Sequence, residues 1–367
     1  MSASLEIQLI AVTAATGCAL VGVFLVLRSM AMMADAISHT VLLGIVLIFF
    51  IVQDLQSPWL LIGAAAMGLL TVSLVEALNR TKLVKQDAAI GLVFPALFSL
   101  AVILISRYAR GVHLDVDMVI MGELALAPFD RVTIFGLDLP HALATLSAIL
   151  LINIVFILVF YKELKLSTFD PALAAAFGFS PALLHYGLMA LVSVTAVGAF
   201  DAVGAILVVA LIVTPAASAY LLTDDLRKML LLSVAIGAGS ALAGYWLARL
   251  LDANIAGSMA TMTGVVFLIV FVLAPQRGVL TQLRRQALQR WRFAQTMLII
   301  HLLHHEGAPD AAVECRAEHL QAHLRWQPDF AAQVIRDAER SGAVHQERGL
   351  LRLTDHGRRL AEAAMVR

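Results

Sequence analysis

The sequence predicts an all-helical polytopic membrane protein with a small cytosolic α+β domain at its C-terminal end. Three observations carry that expectation. Only 14% of the 367 residues are charged and 60% are hydrophobic, whereas a soluble domain carries about 25% charged residues. Apolar runs near the ~20 residues needed to cross ~30 Å of hydrocarbon recur along the chain. The composition then changes near Pro275, where the last apolar run ends.

The change sets the domain boundary. Residues 1–275 carry 12 Lys and Arg against 16 Asp and Glu, and the remainder carries 14 against 10. Seven of the 11 His lie beyond position 300. The expected organisation is a transmembrane domain over 1–280 and a soluble domain over 281–367. Cys18 lies in the first apolar run and Cys315 in the tail, so no disulfide framework is expected. The N-terminus has no basic n-region and no small-residue cleavage site, so the first run reads as a retained span.

Spans are expected at 5–27, 30–52, 58–79, 88–106, 141–161, 182–199, 201–222, 228–250 and 254–275. The turn at Ala199–Asp201 is short enough to be either a loop or a re-entrant break. Arg28, Arg80, Lys82, Lys85, Lys162, Lys165, Arg227 and Lys228 fall on alternate loops and share a side with the basic tail. Arg107, Arg110, Arg131 and Arg249 fall opposite. The excess of basic residues makes the first side cytosolic and puts the N-terminus outside. Glu6, Asp54, Asp115, Asp117, Glu123, Asp130, Asp138, Asp201 and Asp252 make the outer side acidic. Such a mouth would concentrate cations, although loops need solvated charges in any case.

The sharpest feature is Asp35-Ala36-Ile37-Ser38-His39 in the second span. Asp35 and His39 are i,i+4 and share one helix face. Counting from Arg28 at ~1.5 Å per residue, Asp35 is about 10 Å deep and His39 about 16 Å. An ionisable group at such depth points to function. Carboxylate plus imidazole suits Zn(II), Mn(II) or Fe(II), and two ligands suit a carrier that must release its ion. A proton relay and a structural Asp–His hydrogen bond fit the same spacing. Asp201, expected to open the seventh span, and His113 with Asp115 in an outer loop are weaker metal candidates. Glu76 sits where it can snorkel, and His141 and His185 lie at helix ends.

The stretch 162–181 does not read as a linker. Phe169-Asp170-Pro171 gives a cap and a start for a short helix, and Gly178 a stop. A semi-apolar helix on the cytosolic side needs the membrane surface or a partner to pack on.

Together these residues resemble the permease subunits of the zinc/manganese/iron ABC importers. The resemblance covers nearly all of residues 10–280. It rests on Asp35–His39, Asp87-Ala88-Ala89-Ile90-Gly91-Leu92-Val93-Phe94, Met121-Gly122-Glu123-Leu124, and Phe169-Asp170-Pro171 with Ala174 and Gly178. It continues with Val203-Gly204-Ala205-Ile206-Leu207-Val208-Val209, Thr214-Pro215-Ala216-Ala217 and Ala274-Pro275. It implies a helical fold related to the vitamin B12 and siderophore permeases, with about eight or nine spans. Asp35 and His39 would be the intramembrane metal ligands. Phe169, Asp170, Pro171 and Gly178 would belong to a coupling helix seated on an ATPase subunit. No GxxxxGK[ST] segment is present, so the ATPase would be a separate chain. A second permease, identical or a paralogue, and a periplasmic metal-binding protein complete the implied assembly in the bacterial inner membrane. No permanent cofactor is implied; Mn(II), Zn(II) or Fe(II) would be cargo.

The tail departs from a minimal permease. Helices are expected over 283–305, about 311–324 and 329–340, the last capped by Asp329. A hairpin over 344–353 with a turn at Arg348-Gly349 and a final helix from Thr354 follow. This order resembles the winged-helix domain of the diphtheria-toxin-repressor type metal regulators, most closely over Leu351–Leu360. DNA binding, metal sensing and partner docking are its three readings. The 10 acidic residues that offset 14 basic ones disfavour DNA. His304-His305 and His319 with His323 are the metal-like pairs. For the whole chain the rivals are a proton-coupled secondary metal transporter and a membrane-anchored, metal-responsive DNA-binding regulator.

Overall fold

In the computed structural model the chain divides into two compact units, residues 1–278 and residues 279–367. The structure describes residues 2–54, 57, 59–108, 124–134, 136–309, 311–317, 319, 324, 326–347 and 349–365.

Among the described residues of the first unit, nine helices are long and apolar enough to cross a membrane. In chain order these spans are Ala3–Leu27, Ala31–Val52, Trp59–Arg80, Gln86–Tyr108, His141–Val159, Pro181–Val203, Ala205–Leu222, Leu226–Leu251 and Ile255–Leu273. The first span is the centre of the bundle. It packs against the fifth, sixth, seventh and eighth, while the second packs chiefly on the third and fourth. It is buried on every side over Val21–Leu25, and between Ile10 and Leu20 only the stripe of Val12, Thr13, Thr16 and Leu20 is partly open, as expected of a helix largely enclosed by others.

Small residues set the close approaches. A Cβ on Gly44 would meet the Gly63 carbonyl and come within 2.9 Å of the Ala64 Cα, so the second and third spans touch backbone to backbone. Hydroxyls and an amide cross-link the bundle. Thr71 donates to Thr40 at 2.8 Å, Ser193 to the Ala65 carbonyl at 3.1 Å, and Asn153 to Thr195 at 2.8 Å. Such bonds are worth ~0.6 kcal/mol each on average inside a membrane, so they register the helices more than they hold them.

Two sequence expectations change. The break between the sixth and seventh spans is Gly204, not the Ala199–Asp201 turn. Gly204 adopts φ 81° and ψ 161°, a conformation essentially confined to glycine. Asp201 therefore lies in the last turn of the sixth span, exposed, and does not open the seventh. The membrane unit is also not purely helical. Arg131–Ile134 pairs antiparallel with Leu137–Pro140 just before the fifth span.

The second unit runs Val279–His305, Ala311–Glu314, Pro328–Arg340, an antiparallel hairpin of Val344–Glu347 with Leu350–Leu353, and Asp355–Met365. Leu298, Leu302, Val334, Ile335, Leu351 and Ala361 form its core. The N-cap of the third of these helices lies two residues earlier than expected. Gln327 occupies the N-cap and Pro328 the first turn, where a missing N–H costs nothing; Asp329 follows inside the helix and is not its cap.

Candidate metal path and coupling segment

The second span places Asp35 and His39 side by side, with His39 Nε2 3.5 Å from Asp35 Oδ1. Their neighbours Met33, Ala34, Ala36, Ile37, Ser38, Thr40 and Val41 are buried in the bundle. The pair lies on the remaining face, with side chains 37% and 42% exposed. His39 is not loose there. Its ring stacks on Phe94 at 5.5 Å and meets Phe98 edge-on at 5.8 Å, both from the fourth span. One helix thus presents a carboxylate and an imidazole together, and a second helix fixes the imidazole plane. The arrangement can offer two donors to a divalent ion and leaves its other coordination positions to water or a facing chain.

Asp201 lies far along the chain on an exposed helix end, and the structure brings it to neither Asp35 nor His39. His113 and Asp115 fall outside the described residues, as do Asp117 and Glu123. The acidic outer set is partly a structural device. Glu6 is almost fully buried, and Arg131 Nη1 lies 3.3 Å from its Oε2. Arg131 Nε also donates to Asp138 Oδ2 at 2.7 Å. That bond is the main reason its pKa rises, with Glu6 contributing less. One arginine therefore neutralises two of the carboxylates and ties the hairpin to the first span. Asp130 faces His141 at 3.7 Å.

At the end of the bundle marked by Arg28 and Arg80, the stretch after the fifth span forms two short helices, Tyr161–Phe169 and Pro171–Ala176. Asp170 Oδ1 accepts the Leu173 N–H at 2.9 Å, Pro171 fills the first turn, and the chain leaves through Gly178 at φ 85°. Ala174 is buried, while Phe169, Leu173 and Phe177 are exposed. An apolar face is thus left open on a well-capped helix.

A polar network invisible to sequence spacing anchors this segment. Arg28, just past the first span, donates to Thr168 Oγ1 at 3.2 Å and to Ser167 Oγ at 3.1 Å. Its Nη1 is 3.2 Å from His185 Nδ1 of the sixth span. His185 Nε2 in turn lies 3.8 Å from Glu76 Oε2 of the third span, and Glu76 pairs with Arg80 at 2.6 Å. Partial burial lowers the Arg28 pKa from its ordinary value, yet a guanidinium keeps its charge at neutral pH. Glu76 and His185 therefore lie close together, each with an arginine partner of its own, Arg80 and Arg28. Partners separated by 139, 140 and 157 positions leave no local pattern to read.

Comparison with known proteins agrees with this architecture. The zinc transport system membrane protein TroD of Treponema pallidum (strain Nichols) is 46% identical over 362 residues, 99% of each chain, so the similarity runs through the second unit. The manganese transport system membrane protein MntD of Bacillus subtilis (strain 168) is 50% identical over 277 residues, 75% of this chain and 94% of MntD. Among solved structures, PsaBC from Streptococcus pneumoniae in complex with Fab superposes with a TM-score of 0.63 at 29% identity, covering 76% of this chain and 94% of that one. Residues 4–274 match the ABC 3 transport family. The nine-span bundle and a match over most of its length together place this chain in the ABC 3 transport family.

Proposed function

We propose that this chain is the membrane permease subunit of an ABC importer that passes Mn(II), Zn(II) or Fe(II) into the cytoplasm. The observation that carries the reading is the Asp35–His39 pair, held on the one face of the second span that the bundle does not bury. A second permease, a copy or a paralogue, would face it across the path. A periplasmic metal-binding protein would deliver the ion to the outer side. The ATPase is a separate chain that seats on Phe169, Leu173 and Phe177, and the Arg28 network passes its movement to the first, third and sixth spans. Basic residues on the Arg28 side support a cytoplasmic location for that end, in a bacterial inner membrane with the N-terminus outside. The helix, hairpin and helix order of the C-terminal unit supports a winged-helix-like fold, used for metal sensing or docking before DNA binding.

Uptake of radiolabelled Mn(II) and Zn(II) by metal-starved cells tests the path. Asp35→Asn and His39→Ala are each expected to lower uptake tenfold or more at unchanged membrane abundance. Wild-type uptake by both removes the ligand assignment. ATP-independent uptake driven by a pH gradient in liposomes holding this chain alone would favour a secondary transporter instead.

A further inference from the structure

The second unit holds a cluster that the transport path does not use. His301 and His305 are i,i+4 on the helix Val279–His305, with rings 4.6 Å apart. The short helix Ala311–Glu314 returns Glu314 to them. His301 Nε2 lies 3.2 Å from the Glu314 carbonyl oxygen and 3.9 Å from its Oε2. His319 Nε2 approaches the same Oε2 to 3.0 Å. One donor atom from each of His301, His305 and Glu314 lies within 4.8 Å of the others.

The frame around them is fixed. Leu351 N–H donates to the Cys315 carbonyl at 2.9 Å, and Arg316 bridges Leu350. The residues after Glu314 are thus stitched to the hairpin, over the buried Leu298, Leu302 and Cys315. His301 and Glu314 side chains are only 9% and 19% exposed, unlike surface histidines on a solvated helix. A tetrahedral ion with bonds of ~2.0–2.1 Å spaces its donors about 3.4 Å apart. Closing the cluster onto an ion therefore brings donors now within 4.8 Å of one another to that spacing.

We propose that His301, His305 and Glu314 form a transition-metal site in the C-terminal unit, with His319 positioning the Glu314 carboxylate. Imidazoles with one carboxylate suit Zn(II) best among common cations, and Fe(II) or Ni(II) next. Three donors bind more firmly than the two that the membrane path keeps when no second chain faces it, so this site holds an ion under conditions in which Asp35 and His39 release one. Each histidine pair apparent in the sequence gives only one member to this cluster, His305 and His319; His304 is exposed and His323 is outside the described residues. His301 and Glu314 complete the cluster only through the fold.

The test uses the full chain in detergent, carrying Asp35→Asn and His39→Ala to silence the path. Zn(II) is titrated calorimetrically, and the bound ion is read by X-ray absorption. One equivalent per chain is expected, with imidazole scattering and no sulfur in the coordination sphere. His301→Gln and Glu314→Gln should each weaken binding tenfold or more, with thermal unfolding showing that each folds. No bound equivalent, a sulfur-coordinated ion, or unchanged affinity in both variants overturns the proposal. If a variant fails to fold, the absorption spectrum of the unaltered tail decides alone. Because the readout is equilibrium binding, failure of the transport reading leaves this result standing, and the reverse.

Discussion

Arg28 is the residue that ties the segment 161–179 to the ends of the first and sixth spans, and replacing it by Met isolates that role. The methionine keeps the apolar stem and removes three hydrogen bonds, to Thr168, Ser167 and His185. Charge-assisted bonds at their best run to about 2.7–2.9 Å. The three here measure 3.2, 3.1 and 3.2 Å, so each is assigned about 0.7–1.3 kcal/mol, near the net value of an ordinary hydrogen bond. The expected loss is about 2–4 kcal/mol, or roughly a 30- to 1000-fold rise in the locally open population. Hydrogen exchange of the chain in lipid nanodiscs reads this directly: amides of Leu164–Asp170 should exchange faster by that factor, while those of the first span core do not change. Arg28→Lys, which keeps the charge and one bond, should fall between. Exchange in 161–179 within about threefold of wild type in Arg28→Met would refute the anchoring argument.

Three further outcomes are expected. His39→Phe should keep the ring packing on Phe94 and Phe98 and hence the melting temperature, while metal uptake falls as in His39→Ala; retained uptake would make the ring a packing element only. Arg131→Ala leaves the buried Glu6 without its guanidinium and should lower the melting temperature; thermal unfolding checks it, and adding Glu6→Gln should recover most of the loss. Phe177→Glu puts a charge on the open apolar face of the 171–176 helix and should abolish co-purification with the proposed ATPase partner at normal abundance of this chain.

What could be read from sequence is what is local. The spans are contiguous apolar runs, the Asp35–His39 pair is i,i+4 on one helix, and the Asp170-Pro171 start is a cap followed by the residue that best fills a first turn. The rest depends on chain segments far apart. Arg131-Val132-Thr133-Ile134 is too short to stand out beside apolar runs, yet Gly136 at φ 80° lets it fold back on Leu137–Pro140. Asp201 reads as the start of the seventh span, whereas a glycine three residues later carries the break and leaves it in the sixth. Glu6 reads as a free outer charge until Arg131, 125 positions away, is brought to it.

The exposure of Asp35 and His39 also argues about assembly. At the centre of a bilayer a charged side chain costs about 2.5–3.5 kcal/mol on insertion scales. A pair about 40% exposed to lipid would bear part of that cost in every chain. Interhelical hydrogen bonds at ~0.6 kcal/mol each do not offset it. The second span packs one side tightly on the third, through Gly44 and Thr40, and leaves the polar side bare. A lipid-facing surface would be expected to carry the reverse pattern. The face is therefore one that another helix surface or a water-filled path covers, and the second permease proposed above would supply both. The same cover would bring a second carboxylate and imidazole within reach of one ion, turning a two-donor site into a four-donor one while the two chains are together, and back again when they part.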